Sequence, residues 1–446
     1  MTNHRRLARW RAGLLVLLVC CGFAIALPSA AYALVGTLAG RWVPYIEVNG
    51  TGDSYAHAST EIGTTVYVGG QFSKVYEKIT GIDYNRTSLY AYDETTNRLT
   101  SFAPTFDGPV WGLAHSPDGR YLYAAGKFNT VNGVARKGLA QFDLTTGQLT
   151  SFNAQLDAQA RTVDYVGGHL IVGGAFDKVK NVVQVALASL DPTTGKNQPT
   201  YLNAALSGSV ATGAGVTMVY HSAVNSTGTQ MAIMGNFTSA GGATHYRAFL
   251  LDMGATSATV SAWNAPILQQ PCRIPLYVSA ISFSQDGTWL AMANTGYRNT
   301  ALPTLPLTNT VCDAVVRFPT TEVDNVGTTW RNYTGCDSLY SVLVTSDAVY
   351  VGGHERYLNN PNACDTAGTG SVSRPGIGAV DPTTGLALSW NPTRSRGSGA
   401  DFLQMTTKGL LVLSDCAAAG IAGDPSSGAN LLATGYHPCV GLLSGS

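Results

Sequence analysis

Charge is what this chain has least of. Its 446 residues carry 27 basic and 27 acidic side chains, which cancel, and charged residues make up 12% of the total. That is about half the usual share. A nucleic acid or an acidic membrane would need a clustered basic surface, and no such cluster is present. Chemistry-bearing motifs are missing too. There is no G-x-S-x-G nucleophile elbow and no H-E-x-x-H zinc helix. Glycines at residues 63–70 lack a following G-K-[ST] and end a strand rather than open a helix, so a phosphate cradle is not expected. No cysteine pair has C-x-x-C spacing, which argues against zinc or redox work. The EF-hand loop is absent. Asn49-Gly50-Thr51-Gly52-Asp53 and Asp365-Thr366-Ala367-Gly368 offer oxygens to calcium but read as turns. No metal and no cofactor are expected.

Long apolar runs are equally scarce. The one at residues 14–27 is short for a membrane span of roughly 20 residues. It follows the basic stretch from His4-Arg5-Arg6 to Arg11 and precedes the small-x-small triplet Ala31-Tyr32-Ala33. That order is a secretory signal: residues 1–33 are expected to be removed, leaving residues 34–446 as a single domain with no stable membrane span. Cys20 and Cys21 raise a lipoprotein reading, against which Val19 is a poor predecessor. Six cysteines then remain, all in the second half: Cys272, Cys312, Cys336, Cys364, Cys416 and Cys439. An even set in an exported chain is most simply disulfide-bonded.

What the chain does have is glycine, 50 residues of it, and a repeat. Residues 108–156 display it best, with strand-like runs at 110–115, 121–128, 138–143 and 148–152 separated by turn chemistry. Three landmarks recur. Glycines end the second strand in Val68-Gly69-Gly70, Ala125-Gly126, Val172-Gly173-Gly174, Met234-Gly235 and Val351-Gly352-Gly353, permitting close backbone approach or a positive φ. An Asp-led hairpin follows the third strand, as in Asp143-Leu144-Thr145-Thr146-Gly147, where the carboxylate can accept backbone amides two residues on. An aromatic is expected in the fourth strand, at Phe102, Phe152, Trp263, Trp330 and Trp390, with Leu202 standing in once, to pack between units.

Four antiparallel strands repeated roughly every 48 to 67 residues is the size of a β-propeller blade. Blades are expected to begin near Tyr55, Val110, Arg161, Val216, Tyr277, Leu339 and Ala400. The seventh is one strand short, and Gly40-Arg41-Trp42-Val43-Pro44 resembles the fourth strands of other blades. The fold expected is therefore all-β: a seven-bladed β-propeller of four-stranded antiparallel blades, its ring closed by the N-terminal strand of the mature chain. Blade register predicts the pairs Cys272–Cys312, Cys336–Cys364 and Cys416–Cys439.

The pattern V-G-G-x-F…R-x-x-L-A-x-x-D-x-T-T-G-x-L, carried by residues 126–149 with Arg136, Leu139 and Ala140 in place, resembles the delta-60 type of β-propeller repeat. Repeats of this type, of unknown function, are common in exported actinobacterial proteins. The similarity covers blades one to four and six. Blade five departs from it, with Ala291-Met292-Ala293-Asn294 for the glycines and Phe318-Pro319 for the turn. The resemblance implies a propeller and an extracellular or cell-surface setting. It implies no catalytic residues, since the shared positions are turn and packing positions.

The recurring aspartates Asp93, Asp143, Asp191, Asp252 and Asp381 sit on separate hairpins, too dispersed for a paired-carboxylate mechanism. His115, His221 and His245 are scattered and do not read as metal ligands. Trp111 and Trp42 could stack a sugar, although blade packing is the simpler reading. Residues where first strands begin would meet a ligand at the mouth of a central channel: Tyr55, His57, Trp111, Arg161, Tyr277, Tyr340 and Asp401. The function expected is a non-catalytic exported binding or interaction module, monomeric, for a protein or glycan. The alternatives are a secreted glycan hydrolase or lyase using His57, Arg161 and Asp401, and a scaffold for other secreted proteins.

Overall fold

Alternating apolar runs bounded by glycine and aspartate turns become short antiparallel strands, and successive strands pair into small sheets. The computed structural model describes residues 34–36, 39–41, 43–46, 54–210, 215–272, 276–297, 310–392, 399–414, 431–432, 435–436 and 439–444. All lie in one compact unit, Tyr32–Ser446. Apart from one 3-10 turn at Pro266–Gln269, the regular structure described is β. Residues 1–33, read above as a signal, together with Trp42, residues 49–53 and Cys416, fall outside the described residues.

The first sheet runs Tyr55–Ile62, Thr65–Gln71, Leu89–Asp93, Arg98–Leu99, and the second Val110–His115, Tyr121–Gly126, Leu139–Asp143, Gln148–Leu149. Five more sheets follow, with inner strands Ala160–Val166, Met218–Val224, Val278–Phe283, Leu339–Val344 and Ala400–Thr406. Within each, strand order follows chain order. The sheet containing Ala400–Thr406 is different: beyond Gly409–Ser414 and Val440–Ser444 it takes Ala39–Arg41 as its fourth strand, with Ala39 opposite Leu443. The third and sixth sheets have three strands, and single bridges at Leu190–Asn197 and Val380–Ala387 stand where a fourth would begin.

The inner strands begin within two residues of the expected positions, the fourth at Met218 and the fifth at Val278. Other expectations need correction. Of the packing aromatics, only Trp330 lies within a fourth strand. Phe102, Phe152 and Trp263 lie just past theirs, and Trp390 follows the Ala387 bridge. An unforeseen small hairpin also sits between second and third strands in six sheets, with two-residue strands in five of them, for example Thr130–Val131 with Val134–Ala135 and Lys178–Val179 with Val182–Val183. Strands of two residues carry no alternation to read.

The core lies between sheets. Tyr67, Leu89 and Ala91 of the first pack on Val110, Leu122 and Phe142 of the second, and Val66, Val68 and Tyr92 pack on Leu411, Leu413 and Leu442 of the last. The aromatics do the bridging expected of them. Trp263, fully buried, donates its indole N–H to the Pro319 carbonyl at 2.9 Å and meets Phe318 edge-on. Trp330 does the same to Pro382, and Trp390 to Val35. Arginines repeat as well: half-buried Arg86 and buried Arg136 and Arg374 each donate to the carbonyl of the preceding residue and to one fourteen residues on, tying the small hairpin to the chain after the third strand.

The aspartate turns form as expected. Asp143, Asp191 and Asp381 each accept the amide two residues on, at 2.9, 3.1 and 2.9 Å, while Asp93 accepts that of Thr96. Asp252 instead receives the Gln230 amide. The Cys272–Cys312 and Cys336–Cys364 disulfides are present, with Cα atoms 5.8 and 5.0 Å apart. Cys439 is disulfide-bonded as well. Among the described residues no helix is long and apolar enough to cross a membrane.

Candidate functional site

One irregularity recurs in all seven inner strands. Each carries a β-bulge near its start, where one residue is skipped in the pairing with the second strand. Ala56 and Ala58 face Gly70 and Gly69, leaving His57 unpaired; Ala160 and Thr162 face Gly174 and Gly173, leaving Arg161. The other skipped residues are Trp111, Tyr220, Ser279, Tyr340 and Asp401. A bulge turns its extra residue out of the ladder and re-aims the side chain.

The repeated glycine is the other half of this device. A β-carbon on Gly70 would stand 2.0 Å from the Tyr55 carbonyl oxygen, and one on Gly235 would stand 2.0 Å from that of Met218. The same clash recurs at Gly126, Gly174 and Gly353 with the carbonyl two residues before the skipped position. None of these five glycines has a positive φ. Of the two reasons to place glycine there, close backbone approach is the operative one.

The seven skipped residues converge. All line one cavity of about 540 Å³ to which every inner strand contributes. That is within the range of small-ligand sites. Of the seven residues expected to meet a ligand, His57, Trp111, Arg161, Tyr340 and Asp401 are skipped residues, and Tyr55 lines the same cavity. Tyr277 is exposed, one residue before its strand, and touches the cavity only through its edge-on contact with Tyr220 at 5.7 Å. Trp111 belongs to the cavity, not to the packing between sheets. Tyr220 and Ser279 escaped sequence reasoning. Counting back from Gly235, as Tyr220 requires, would have found it.

Contacts within the cavity are aromatic and polar. The Arg161 guanidinium lies 4.4 Å from the Trp111 ring centre and 6.0 Å from that of Tyr220, both within cation–π reach. Tyr55 and His57 stack at 5.5 Å. Burial, helped by the nearby Arg161 charge, lowers the His57 imidazole to about 4, so it is neutral at pH 7. His221 is lowered to about 4 by burial alone. Deeper on the third inner strand, burial raises the Asp164 carboxyl to about 6, against the opposing hydrogen bond from the Ser222 hydroxyl at 2.5 Å.

Elsewhere the candidates for chemistry are occupied. Asp365, in the loop considered for calcium, pairs with Arg356 at 2.9 Å and accepts the Tyr297 hydroxyl at 3.0 Å. His115 contacts the Ser116 carbonyl, and His245 is buried beside Phe249. No group of three or more His, Cys, Asp or Glu side chains that could hold a metal occurs among the described residues.

Solved structures share this fold. The chain is similar to the structure described as RRP9 WD40 repeats, with a TM-score of 0.51 and 8% identity over 90% of this chain and 99% of that one. It is similar to the structure of U3-55K at a TM-score of 0.50 and 8% identity, over 89% and 97%. At that identity the likeness shows a β-propeller fold and nothing about ligands. No protein-family model matches the chain, and no curated protein matches it.

Proposed function

We propose that this chain is an exported, non-catalytic β-propeller that binds a glycan or a protein partner, at the cell surface or outside the cell, through the cavity walled by its inner strands. The observation that carries this reading is the ring of seven bulged residues. Five of the bulges are accompanied by a second-strand glycine whose only evident purpose is to admit them. A fold that needed only packing would repeat the ring residues along with the glycines. Instead the glycines recur while the ring varies: His57, Trp111, Arg161, Tyr220, Ser279, Tyr340, Asp401. In this reading the seven sheets are seven blades, and the pairing of Ala39–Arg41 with Val440–Ser444 closes the ring. Export agrees with the N-terminal signal pattern and with disulfides, which persist in oxidising compartments.

The test is a screen of purified chain against glycan and envelope-protein panels, with direct binding and product formation recorded in the same samples. Binding without turnover supports the module, and its loss in a Trp111→Ala, Tyr220→Ala variant places it in the cavity. Retention of binding by that variant would move the site elsewhere.

A second reading, a secreted glycan hydrolase or lyase, has one observation in its favour. Asp164 is held near 6 inside the cavity, the range of a general acid. Turnover in the screen, abolished by Asp164→Asn, would select it.

A further inference from the structure

Arg161 differs from the other arginines whose side chains are described. Arg86, Arg136, Arg247 and Arg374 donate to backbone carbonyls, and Arg317 to that of Pro382. The remainder pair with a carboxylate or, in Arg331, with a hydroxyl. Arg161 alone makes no hydrogen bond and no ion pair among the described residues; an unpartnered buried Nε it shares with Arg86, Arg136, Arg317 and Arg374, whose other nitrogens are bonded. Its only neighbours of note are the two aromatic faces that hold it. A guanidinium carries five donors in a planar fork, and the one on the buried Nε goes unmet at a cost.

Its surroundings select the missing partner. Among the described residues Arg161 is the one Lys or Arg lining the cavity, and the neighbouring His57 and His221 are neutral near pH 7. An anion there would meet this single positive charge. Asp164 and Asp401 line the same cavity and would repel a group carrying two charges. The fork geometry matches a carboxylate bidentately. The same cavity is lined by the aromatic rings of Tyr220 and Tyr340 and by the Ser279 hydroxyl. Faces of that kind suit the apolar side of a pyranose ring, and hydroxyls suit its rim.

We infer that the cavity binds a monocarboxylate, with the sugar acids as its class, through a fork between Arg161 and the ligand's carboxylate beside Trp111 and Tyr220. This rests on the binding-module reading above and specifies the ligand for the same site.

The experiment is calorimetry on the full chain with D-glucuronate, D-glucuronamide, D-glucose, benzoate and inorganic phosphate, each to about 10 mM so that weak sites register. Glucuronate is expected to bind at least tenfold more tightly than glucuronamide, the charge-assisted fork being the difference. Arg161→Gln should erase that gap, while Arg161→Lys, which keeps the charge but not the fork, should keep part of it. Circular dichroism and melting confirm that both variants fold. If a variant does not fold, the comparison of glucuronate with glucuronamide on the unaltered chain still decides. Equal binding of the acid, the amide and glucose overturns the inference while leaving the binding module intact. Stronger binding of phosphate overturns it as well. Benzoate binding as tightly as glucuronate keeps the carboxylate and overturns the sugar. No binding by any probe overturns the inference, and the module reading is then judged by the panel screen alone.

Discussion

The carbonyl oxygen of Tyr55 occupies the place where a side chain on Gly70 would begin, 2.0 Å from the position of a β-carbon. The bulge at His57 pushes that carbonyl across the ladder, and the opposite strand accommodates it by having no side chain there. Gly70→Ala should therefore force the bulge to move, costing roughly 3 kcal/mol, at the upper end of overpacking effects. Gly147→Ala is the control. Unlike Gly70, it has a positive φ, +70°, but nothing lies within 4 Å of its absent side chain, so strain alone should cost about 1 kcal/mol. Urea unfolding of both variants reads the difference. If Gly70→Ala were no worse than Gly147→Ala, the pairing of glycine with bulge would not be what fixes the ring.

That pairing also explains what could be read from sequence and what could not. Strand order, the Asp-Thr-Thr-Gly turns and two disulfides follow from alternation and turn chemistry that any reader of the chain can count. Gly70 and Gly174 were legible as close-approach positions. The bulge they serve was not, because one extra residue in a strand leaves no compositional trace. Hence His57, Arg161 and Asp401 could be placed near strand starts, while Tyr220, four residues beyond the expected start near Val216 and two beyond the strand's start at Met218, was passed over. The hairpin at Val182–Val183 is too short for periodicity to show.

Asp164 and the two cavity histidines give the fold opposing pH dependences. Burial raises Asp164 to about 6, so its folded form holds a proton more tightly than the unfolded chain does. The sign follows: stability is highest with respect to this group below pH 4 and falls as pH rises to about 6, remaining lower above it. His57 and His221, both lowered to about 4, act in reverse. Their contribution is full above pH 6.5 and is lost as pH falls through 4. Asp164→Asn should stabilise the chain at pH 7 by roughly 1–2 kcal/mol, less than the full shift implies because the carboxyl faces a wet cavity. It should also steepen the loss of stability between pH 6.5 and 4. Denaturant unfolding across that range checks both. A variant no more stable than the parent at pH 7 would mean Asp164 is ionised without cost.

The disulfide between Cys272 and Cys312 joins the chain just before the fifth inner strand to the start of that sheet's third strand. It closes a loop spanning 40 residues of sequence. Replacing both cysteines with serine should lower stability by about 2–4 kcal/mol, mainly by freeing the unfolded chain. Peptide mapping without reductant should recover Cys272 with Cys312 and Cys336 with Cys364, and Cys439 with Cys416. A cross-link between the first pair and the last would contradict the register of the sheets.

Two tryptophans separate packing from binding. Trp263 is fully buried between the fourth and fifth sheets, with its indole N–H bonded to Pro319. Trp263→Ala should leave a cavity and an unmet carbonyl, costing about 3–5 kcal/mol. Trp111 is partly exposed in the cavity, where its recorded contact is the Arg161 guanidinium at 4.4 Å. A cation–π pair at such a site is worth on the order of 0.5–2 kcal/mol, so Trp111→Ala should melt close to the parent. Its effect should appear instead at Arg161, whose guanidinium loses one of the two faces holding it. Glucuronate binding should then weaken several-fold with little change in stability. A Trp111→Ala variant as destabilised as Trp263→Ala would return Trp111 to a packing role and remove it from the site.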